Sequence, residues 1–571
     1  MYQHMLAANS PKGFRMDRKV IFEAVDLKIN AIADNGTEIP IVKGVNFKVR
    51  EGEVVALIGE SGSGKTTIAL SSLGYFKPGL QCVEGEARLL GQDLTKMSNE
   101  DLRKIRGERV AYLAQSAAAT FNPSLRINEQ VTESAVIHGS KTKEEALSYA
   151  KTLYKHLDLP DPENIGERYP HQVSGGQLQR LMAAMALVSD PTLLVLDEPT
   201  TALDVTTQIE VLKAFKKVIK EQKAAAIYVT HDLAVVAQIA DRIIVLYNGS
   251  IQEKGPANSV IDTPKHPYTD RLMKAVRPLP KDTAKTREST KNKNLKNSLS
   301  VKDVLAGYGG ITNGVPKITV LEDINVEIGK GEVVGVIGES GSGKSTLARV
   351  ISGLLPLAEG EVSLFDTKLP PDLRKRSRDQ LRKIQFVYQM ADTALNPRHT
   401  IERIVGRPLE FYHGMRGEKK KKRLIELLEM VELPREFISR YPEELSGGQK
   451  QRISLARALA AEPEIILCDE VTSALDSIVG SNVIELLRKL QKNLDVSYVF
   501  ISHDLSTIAS FADRIVVMYD GKIMEQGPVH EVLSPPSHPY TELLISSIPE
   551  LRVGWLEEAD TKIQQAKEKM L

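Results

Sequence analysis

Two glycine-rich segments have the residue types and spacing of a phosphate-binding loop. Gly59–Thr67 reads GESGSGKTT and Gly338–Thr346 reads GESGSGKST, and each lies between a strand-like apolar run and a helical pattern. Glycines let backbone N–H groups point at a phosphate, and the helix N-terminus that follows favours negative charge. The lysines are predicted to reach the β- and γ-phosphates, and Thr66 and Ser345 to hold Mg²⁺. The candidate nucleotide-binding residues of the two loops are Gly59, Ser61, Gly62, Gly64, Lys65, Thr66 and Thr67, and Gly338, Ser340, Gly341, Gly343, Lys344, Ser345 and Thr346.

Two short apolar runs each end in a pair of carboxylates. LLVLDE ends in Asp197 and Glu198, and IILCDE ends in Asp469 and Glu470. The aspartate of each pair suits Mg²⁺ coordination through water. The glutamate is placed to polarise an attacking water. The order of these pairs after the glycine loops favours a catalytic interpretation over a solvated strand end.

A second short motif, SGGQ, begins a helical pattern in each half of the chain. Serine is a good N-cap, and the two glycines allow an anion to approach bare backbone N–H groups. The pattern therefore predicts a further contact with phosphate. The candidate residues are Ser174, Gly175, Gly176 and Gln177, and Ser446, Gly447, Gly448 and Gln449.

The chain is an internal duplication. The glycine loop, SGGQ, the Asp-Glu pair and a His-Asp pair at His231 and His503 occur twice in the same order. A repeat this long indicates duplicated domains and not a solenoid. We predict a first domain at 19–277, a polar, Lys- and Ser-rich linker at 278–298, a second domain at 299–550 and a C-terminal tail at 551–571 that forms a short helix.

Buried-strand patterns alternate with helical patterns in both halves, which indicates α/β domains. Leu193–Leu196, Ile465–Cys468, Ala226–Thr230 and Ser497–Ser502 are apolar runs typical of parallel strands. Asn248–Gly249 and Asp520–Gly521 predict hairpin turns.

Taken together, these motifs resemble those of the ATP-binding cassette (ABC) ATPase family. The resemblance implies two P-loop ATPase domains, each with a RecA-like core, an antiparallel β subdomain and a helical signature subdomain. It implies that Gln115 and Gln389 form Q-loops that contact Mg²⁺ and relay motion to membrane subunits. It also assigns His231 and His503 as switch histidines, and Ala202–Asp204 and Ala474–Asp476 as D-loops. By this resemblance the catalytic residues are Glu198, Glu470, His231 and His503, and the metal site residues are Thr66, Gln115, Asp197, Ser345, Gln389 and Asp469.

In this family two domains close head to tail around two ATP molecules, so each glycine loop is expected to face the SGGQ motif of the other half. Both halves keep the lysine, glutamate and histidine, so both sites are expected to hydrolyse ATP. The second half has Tyr308 where the family has an aromatic residue that stacks on adenine. The equivalent stretch near Ile29–Ala31 has none, so adenine is expected to be held less firmly in the first site.

Smaller motifs narrow the resemblance to the oligopeptide/dipeptide/nickel importer ATPases. FNPSLRI and LNPRHTI follow the Q-loops, and HPYT occurs at His266–Thr269 and His538–Thr541. The resemblance implies two transmembrane permease partners, an extracellular solute-binding protein and a location at the cytoplasmic face of the cell membrane. Peptides are the expected cargo, and glutathione, a nickel complex, an opine or an oligosaccharide remain open.

Composition agrees with this interpretation. No apolar run has the roughly 18 to 20 residues that span a bilayer, and no signal peptide is visible, so the chain is expected to stay in the cytoplasm. The formal net charge is +1, which disfavours nucleic-acid binding. Only Cys82 and Cys468 are present, so a disulfide framework, a zinc knuckle and a Cys-ligated iron–sulfur cluster are excluded, and both cysteines are expected to be buried. The alternatives are a tandem ATPase of a vitamin or metal importer, and a soluble tandem ABC ATPase of translation or DNA repair.

Overall fold

A computed structural model of the protein describes residues 18–33, 35–200, 203–276, 297–312, 314–473, 475–535 and 537–570. These residues form two compact units. Unit one comprises 18–200 and 211–269, and unit two comprises 203–210 and the described residues from 270 onward. The linker expected at 278–298 lies outside the described residues except for its last two, which belong to a strand. The domain limits 19–277 and 299–550 stay predictions, and Ala202 and Ala474 of the D-loops also lie outside the described part.

The first half of the chain contains ten strands and ten α-helices among its described residues. The strands are β1 Val20–Ile32, β2 Glu38–Arg50, β3 Val54–Ile58, β4 Leu80–Leu89, β5 Gln92–Asp93, β6 Val110–Leu113, β7 Leu193–Asp197, β8 Ala225–Val229, β9 Arg242–Tyr247 and β10 Ser250–Pro256. The helices are α1 Lys65–Ser71, α2 Asn99–Ile105, α3 Ala117–Thr120, α4 Ile127–Ile137, α5 Lys143–His156, α6 Gly175–Leu187, α7 Val205–Gln222, α8 Leu233–Ile239, α9 Ala257–Asp262 and α10 Pro267–Ala275.

The second half repeats this order and adds one C-terminal helix. Its strands are β11 Asn297–Thr312, β12 Val315–Gly329, β13 Val333–Ile337, β14 Leu357–Leu364, β15 Thr367–Lys368, β16 Ile384–Val387, β17 Ile465–Asp469, β18 Ser497–Ile501, β19 Arg514–Tyr519 and β20 Lys522–Pro528. Its helices are α11 Lys344–Ser352, α12 Arg378–Lys383, α13 Ala391–Ala394, α14 Ile401–His413, α15 Gly417–Met430, α16 Gly447–Leu459, α17 Ser477–Leu494, α18 Leu505–Phe511, α19 Val529–Val532, α20 Pro539–Ser546 and α21 Trp555–Met570. The helix expected in the tail is therefore present.

Each half contains one antiparallel sheet and one mostly parallel sheet. The antiparallel sheets have the orders β2-β1-β4-β5 and β12-β11-β14-β15. The larger sheets have the orders β10-β9-β3-β8-β7-β6 and β16-β17-β18-β13-β19-β20, and β10 and β20 are their antiparallel edge strands. Strands β3, β7, β8, β13, β17 and β18 are buried along their whole length, as the continuous apolar runs predicted.

The helix that follows each glycine loop packs in the core between these two sheets. In the first half, Ile68 and Leu70 of α1 share a buried cluster with Leu27 of β1 and Val195 of β7. In the second half, α11 packs in the same way through residues such as Leu347. Because α1 and α11 are wedged between two sheets, the N-terminal ends that carry the lysines are held in fixed positions relative to the parallel strands.

The hairpin turns expected between the last two strands of each larger sheet are confirmed. Asn248 and Gly249 have φ values of 48° and 80°, and Asp520 and Gly521 have 44° and 76°. Positive φ at both central residues is the geometry of a type I′ turn. Cys468 is buried as expected, whereas the expectation for Cys82 is wrong. It packs against the core from the first part of β4, where no side chain is fully buried, and is only half-buried. None of the described helices is long and apolar enough to cross a membrane.

Candidate nucleotide-binding sites

The first glycine loop is built where β3 ends and α1 begins. Gly59 has φ of 145°, and a Cβ there would lie 2.1 Å from the backbone oxygen of Leu246 on β9, so only glycine fits. Gly64 caps α1 in the left-handed region, with φ of 93°, which glycine adopts at low cost. Lys65 is 8% exposed, and its Nζ donates to the backbone oxygens of Gly59 at 2.8 Å and Glu60 at 2.7 Å. The loop therefore curls around its own lysine.

The second loop repeats this geometry between β13 and α11. Gly338 has φ of 149° and lies against the backbone oxygen of Met518, 2.1 Å from where a Cβ would be. Lys344 Nζ donates to the oxygens of Gly338 at 2.8 Å and Glu339 at 2.6 Å. Burial lowers the pKa of Lys344, against the opposing charges of Glu470 and other carboxylates. A buried ammonium of this kind gains from contact with a phosphate anion.

A cavity of about 450 Å³ adjoins the second loop and brings most of the predicted residues of this site together. That volume is in the range of small-molecule binding pockets. Its lining residues are Leu203, Asp204, Val320, Ser340, Gly341, Gly343, Lys344, Ser345, Thr346, Gln389, Glu470 and His503. All of them belong to unit two, because 203–210 are part of that unit.

The acidic pairs lie at the carboxyl ends of β7 and β17, beside the glycine loops. Thr66 Oγ1 donates to Asp197 Oδ1 at 3.1 Å, and Ser345 Oγ donates to Asp469 Oδ1 at 2.8 Å. Burial raises the pKa of both aspartates even though these hydrogen bonds oppose it. A hydroxyl and a carboxylate whose charge is costly to bury are a donor set that suits Mg²⁺, which takes oxygen ligands and keeps several waters. The residues present therefore fit the metal.

The two glutamates that follow have an uncommon backbone conformation. Glu198 and Glu470 have φ values of 51° and 49°, in the left-handed region that residues other than glycine seldom adopt. Their N–H groups donate to the backbone oxygens of Val229 at 2.8 Å and Ile501 at 3.0 Å. Backbone strain of this kind clusters at functional sites. In this conformation each carboxylate contacts a neighbouring histidine and glutamine.

In each unit a histidine and a glutamine hold the glutamate side chain. In unit one, Nδ1 of His231 lies 3.0 Å from Glu198 Oε1, and Gln115 Nε2 donates to Glu198 Oε2 at 3.0 Å. In unit two, Gln389 Nε2 donates to Glu470 Oε2 at 2.7 Å, and Nδ1 of His503 lies 3.6 Å from the same oxygen. The glutamates are therefore oriented by residues that are distant in sequence.

These contacts favour the charged forms of the two histidines and of Glu470. Burial lowers the pKa of His231 and His503, but the hydrogen bonds and charges of their glutamates outweigh it, and the net shift is upward. Burial likewise raises the pKa of Glu470, and His503, Lys344 and Gln389 reverse that shift to a net decrease. A carboxylate that stays ionised can accept a proton from water.

One residue that the sequence motifs did not single out, Tyr112, makes the first site different from the second. Tyr112 of β6 donates through its hydroxyl to Asp197 Oδ2 at 3.0 Å. The residue at the equivalent place is Phe386 of β16, which pairs with Leu467 two residues before Asp469. Tyr112 pairs with Val195, two residues before Asp197. In the sequence, Tyr112 and Phe386 each lie three positions before the Q-loop glutamine, which shows the difference between the halves but not the contact with Asp197.

Each SGGQ motif caps a long helix, α6 or α16. Ser174 Oγ accepts from the N–H of Gln177 at 3.3 Å, and Ser446 Oγ accepts from the N–H of Gln449 at 3.4 Å. The glutamine side chains reach back to the serine N–H groups, which completes a capping box in both copies. Both serines are exposed. The expected pairing of each motif with the loop of the other half stays a prediction.

Tyr308 lies on β11 beside the second glycine loop. Its hydroxyl is 3.4 Å from Thr346 Oγ1 and accepts a hydrogen bond from Arg349 NH1 at 2.9 Å. The tyrosine is half-buried. It is therefore anchored to α11 through its hydroxyl, and its role in stacking on adenine stays a prediction.

Comparison with known proteins identifies the family. A family model described as ABC transporter matches residues 42–201 and 321–473, and one described as oligopeptide/dipeptide transporter, C-terminal region, matches 252–299 and 524–570. The chain belongs to the ABC transporter family, in which it is an ATPase with two cassettes. The predicted fold class, two ABC-type ATPase domains with antiparallel β subdomains, is confirmed.

Similar individual proteins share the tandem arrangement over nearly their whole length. The glutathione import ATP-binding protein GsiA of Salmonella paratyphi A is 36% identical over 569 residues, which cover 94% of this chain and 91% of that protein. The protein of the same name from Escherichia coli O157:H7 is 36% identical over 572 residues, with the same coverage. Among solved structures, the dimeric bacterial ABC transporter cassette MJ0796 is 36% identical over 40% of this chain and 98% of that chain, with a TM-score of 0.36. The predicted relation to the oligopeptide/dipeptide importer ATPases is confirmed.

Proposed function

We propose that this ABC importer ATPase powers the uptake of small peptides, the chemical class that includes dipeptides, oligopeptides and glutathione. The observation that carries this proposal is the oligopeptide/dipeptide transporter C-terminal region, which matches in both halves. Relatives that are 36% identical over 94% of the chain are named glutathione import proteins. Two transmembrane permeases would form the pathway, and an extracellular solute-binding protein would deliver the cargo. The ATPase would then sit at the cytoplasmic face of the membrane through the permeases.

The chain would bind two ATP molecules, one at each glycine loop. When ATP binds, Lys65 and Lys344 would leave the loop carbonyl oxygens and contact the β- and γ-phosphates. The backbone N–H groups of the loops would hold the β-phosphate. Residues 174–177 and 446–449 would each complete the site of the other half, with their exposed helix N-termini directed at the γ-phosphate. Loss of that phosphate would remove the attraction between the halves and let them separate.

The acidic residues have two roles, metal binding and activation of water. Asp197 with Thr66, and Asp469 with Ser345, would hold Mg²⁺ in the two sites, together with Gln115 and Gln389. When bound, Mg²⁺ neutralises negative charge on the phosphates. Glu198 and Glu470 accept a hydrogen bond from the attacking water and draw its proton.

The histidines have a positioning role in this scheme. His231 and His503 orient the glutamate carboxylates, and in the second site the pKa of Glu470 is lowered while that of His503 is raised. A histidine that carries a proton at this place can also donate to the γ-phosphate. Movement of the Q-loop glutamines, which bond to the same carboxylates, would carry the state of the site to the permeases.

The proposal is tested by purification and reconstitution. The chain is isolated in mild detergent from its native membranes, the co-purifying permeases and binding protein are identified by mass spectrometry, and the complex is rebuilt in proteoliposomes. We expect ATP-dependent uptake of radiolabelled dipeptide, tripeptide or glutathione, and stimulation of ATPase activity by the peptide-loaded binding protein. Uptake of only a nickel complex or a sugar would overturn the peptide assignment. Recovery without permeases, on ribosomes or DNA, would overturn the transport role.

A further inference from the structure

The HPYT motif of each half forms a rigid connection between a β-hairpin and a helix. In the first half, Glu253 of β10 accepts through Oε2 from the N–H of His266 at 3.0 Å. His266 Nδ1 in turn accepts from the N–H of Tyr268 at 3.2 Å, so the histidine caps the start of α10. The second half repeats both bonds with the same lengths, through Glu525, His538 and Tyr540. The tyrosine of each motif is therefore fixed at the first turn of its helix.

The hydroxyl of each tyrosine reaches the phosphate-binding loop of its own unit. The N–H of Glu60 donates to Tyr268 Oη at 3.1 Å, and the N–H of Glu339 donates to Tyr540 Oη at 2.9 Å. Tyr268 is 2% exposed and Tyr540 is 0% exposed. The same bond occurs in both copies, between residues about 200 positions apart. It is therefore a repeated structural feature of the cassette.

The residue that receives this contact also holds the loop lysine. Glu60 uses its N–H for Tyr268 and its carbonyl oxygen for Lys65 Nζ, at 2.7 Å. It directly follows Gly59, whose backbone is pressed against β9. The peptide units around Glu60 are thus clamped by the tyrosine on one side and by the lysine on the other.

We propose that Tyr268 and Tyr540 are positioning residues, which set the entry of each phosphate-binding loop and thereby the placement of its lysine. The proposal rests on ATP binding at these loops. The tyrosines act through Glu60 and Glu339, whose N–H groups donate to their hydroxyls. The C-terminal region of each cassette is by this route a structural part of the nucleotide site.

Ring packing and the hydroxyl contribution can be separated. Tyr268 packs on Tyr247 with ring centroids 4.5 Å apart, and Tyr540 packs on Tyr519 at the same distance. Tyrosine-to-phenylalanine substitution keeps these ring contacts and removes only the hydroxyl, which accepts from the loop N–H. The neighbouring rings of Tyr247 and Tyr519 offer matched controls, because the same substitution there alters a hydroxyl outside the loop contact.

The experiment compares full-length Tyr268→Phe/Tyr540→Phe with Tyr247→Phe/Tyr519→Phe. Loss of one hydrogen bond per site should raise KM for ATP, and Kd for a non-hydrolysable ATP analogue, about 2- to 10-fold. The loop is used equally in ground and transition states, so kcat should stay within about 2-fold. The melting temperature of each variant is measured without nucleotide, and the assays are run at a temperature at which every variant is folded. If the double variant does not fold, the single variants are used instead.

Three outcomes decide the matter. A raised KM in the first pair alone supports the positioning role. An unchanged KM, or an equal rise in the control pair, overturns it. Lys65→Ala/Lys344→Ala serves as the reference for the loops themselves: if that variant binds the analogue like the wild type, the proposed ATP sites are wrong, whatever the tyrosine variants do.

Discussion

Replacement of Glu198 and Glu470 by glutamine should stop ATP hydrolysis and leave ATP binding intact. Glutamine has the same size, and its carbonyl oxygen can still accept the hydrogen bond that Gln389 gives to Glu470 at 2.7 Å. The backbone conformation at φ of about 50° is the same for both side chains. What the variant loses is the negative charge that draws a proton from water.

The size of the effect follows from that loss. A positioned general base contributes about 10²- to 10⁴-fold in rate, or roughly 2.7 to 5.5 kcal/mol of activation free energy. The double variant should therefore fall to about 1% or less of wild-type turnover. Neither glutamate belongs to the loops whose N–H groups and lysines bind the phosphates, so Kd for ATP should change by less than about 3-fold, which corresponds to less than about 0.7 kcal/mol.

Turnover is measured as phosphate release and binding by equilibrium titration, for each single variant and for the double variant. If both sites hydrolyse independently, each single variant keeps about half of the activity. Glu462→Gln is a matched control, because Glu462 also has a positive φ, 52°, in the second half, and its carboxylate pairs with Arg423. Near-wild-type turnover in the double variant would refute the assignment of the bases.

Three further substitutions test single contacts. Tyr112→Phe removes a charge-assisted hydrogen bond to buried Asp197, so the free energy of unfolding of unit one, measured with urea, should fall by about 1.5 to 3 kcal/mol. Tyr308→Ala should weaken nucleotide binding at the second site about 5-fold if its ring stacks on adenine, a loss of roughly 1 kcal/mol, measured by titration in a Lys65→Ala background. The third substitution is His231→Gln. In the wild type, Glu198 raises the folded-state pKa of His231 above 6.5. The stabilisation of the folded protein by this ion pair is complete below pH 6.5 and is lost as the pH rises through the folded-state pKa, so the variant should lower the melting temperature more at pH 5.5 than at pH 9.

Each of these has its own control. Tyr388→Phe alters a tyrosine that is 40% exposed and should change stability by less than about 0.5 kcal/mol. Equal nucleotide affinity of the Tyr308 variant and its parent would show that adenine is held elsewhere. His171→Gln, at an exposed histidine that stacks on Tyr169 outside the site, serves as the control for loss of a histidine side chain. A melting-temperature difference for His231→Gln that does not vary with pH would contradict the ion pair.

The elements around the phosphate-binding loops were predictable because their signals are local. A continuous apolar run can be recognised as a buried strand without knowledge of its neighbours, and β7, Leu193–Asp197, matches the run predicted at Leu193–Leu196. An Asn-Gly pair between two such runs specifies its turn through backbone sterics alone. The duplication then confirmed each pattern by a second copy.

Contacts between distant segments could not be predicted in the same way. Tyr112 and Asp197 are 85 residues apart, and a tyrosine three positions before a Q-loop is equally compatible with a core position. The strand order of the larger sheet, which places β6 beside β7, makes that contact possible. Cys82 shows the converse error, because the general preference of cysteine for the interior did not account for a strand whose first residues are at most half-buried.

The fluorescence of the single tryptophan of the chain can be used to follow the second site. Trp555 is 7% exposed and begins α21, which is tied to α20 by the bond from Lys569 to Glu542 at 2.8 Å. Helix α20 carries Tyr540, whose hydroxyl holds the second phosphate-binding loop. A change of tryptophan emission during an ATP titration would therefore report movement along the path from the second loop through Tyr540 and α20 to α21. Phosphate release sums both loops, so its comparison with the tryptophan signal relates movement at the second loop to the total turnover of the chain.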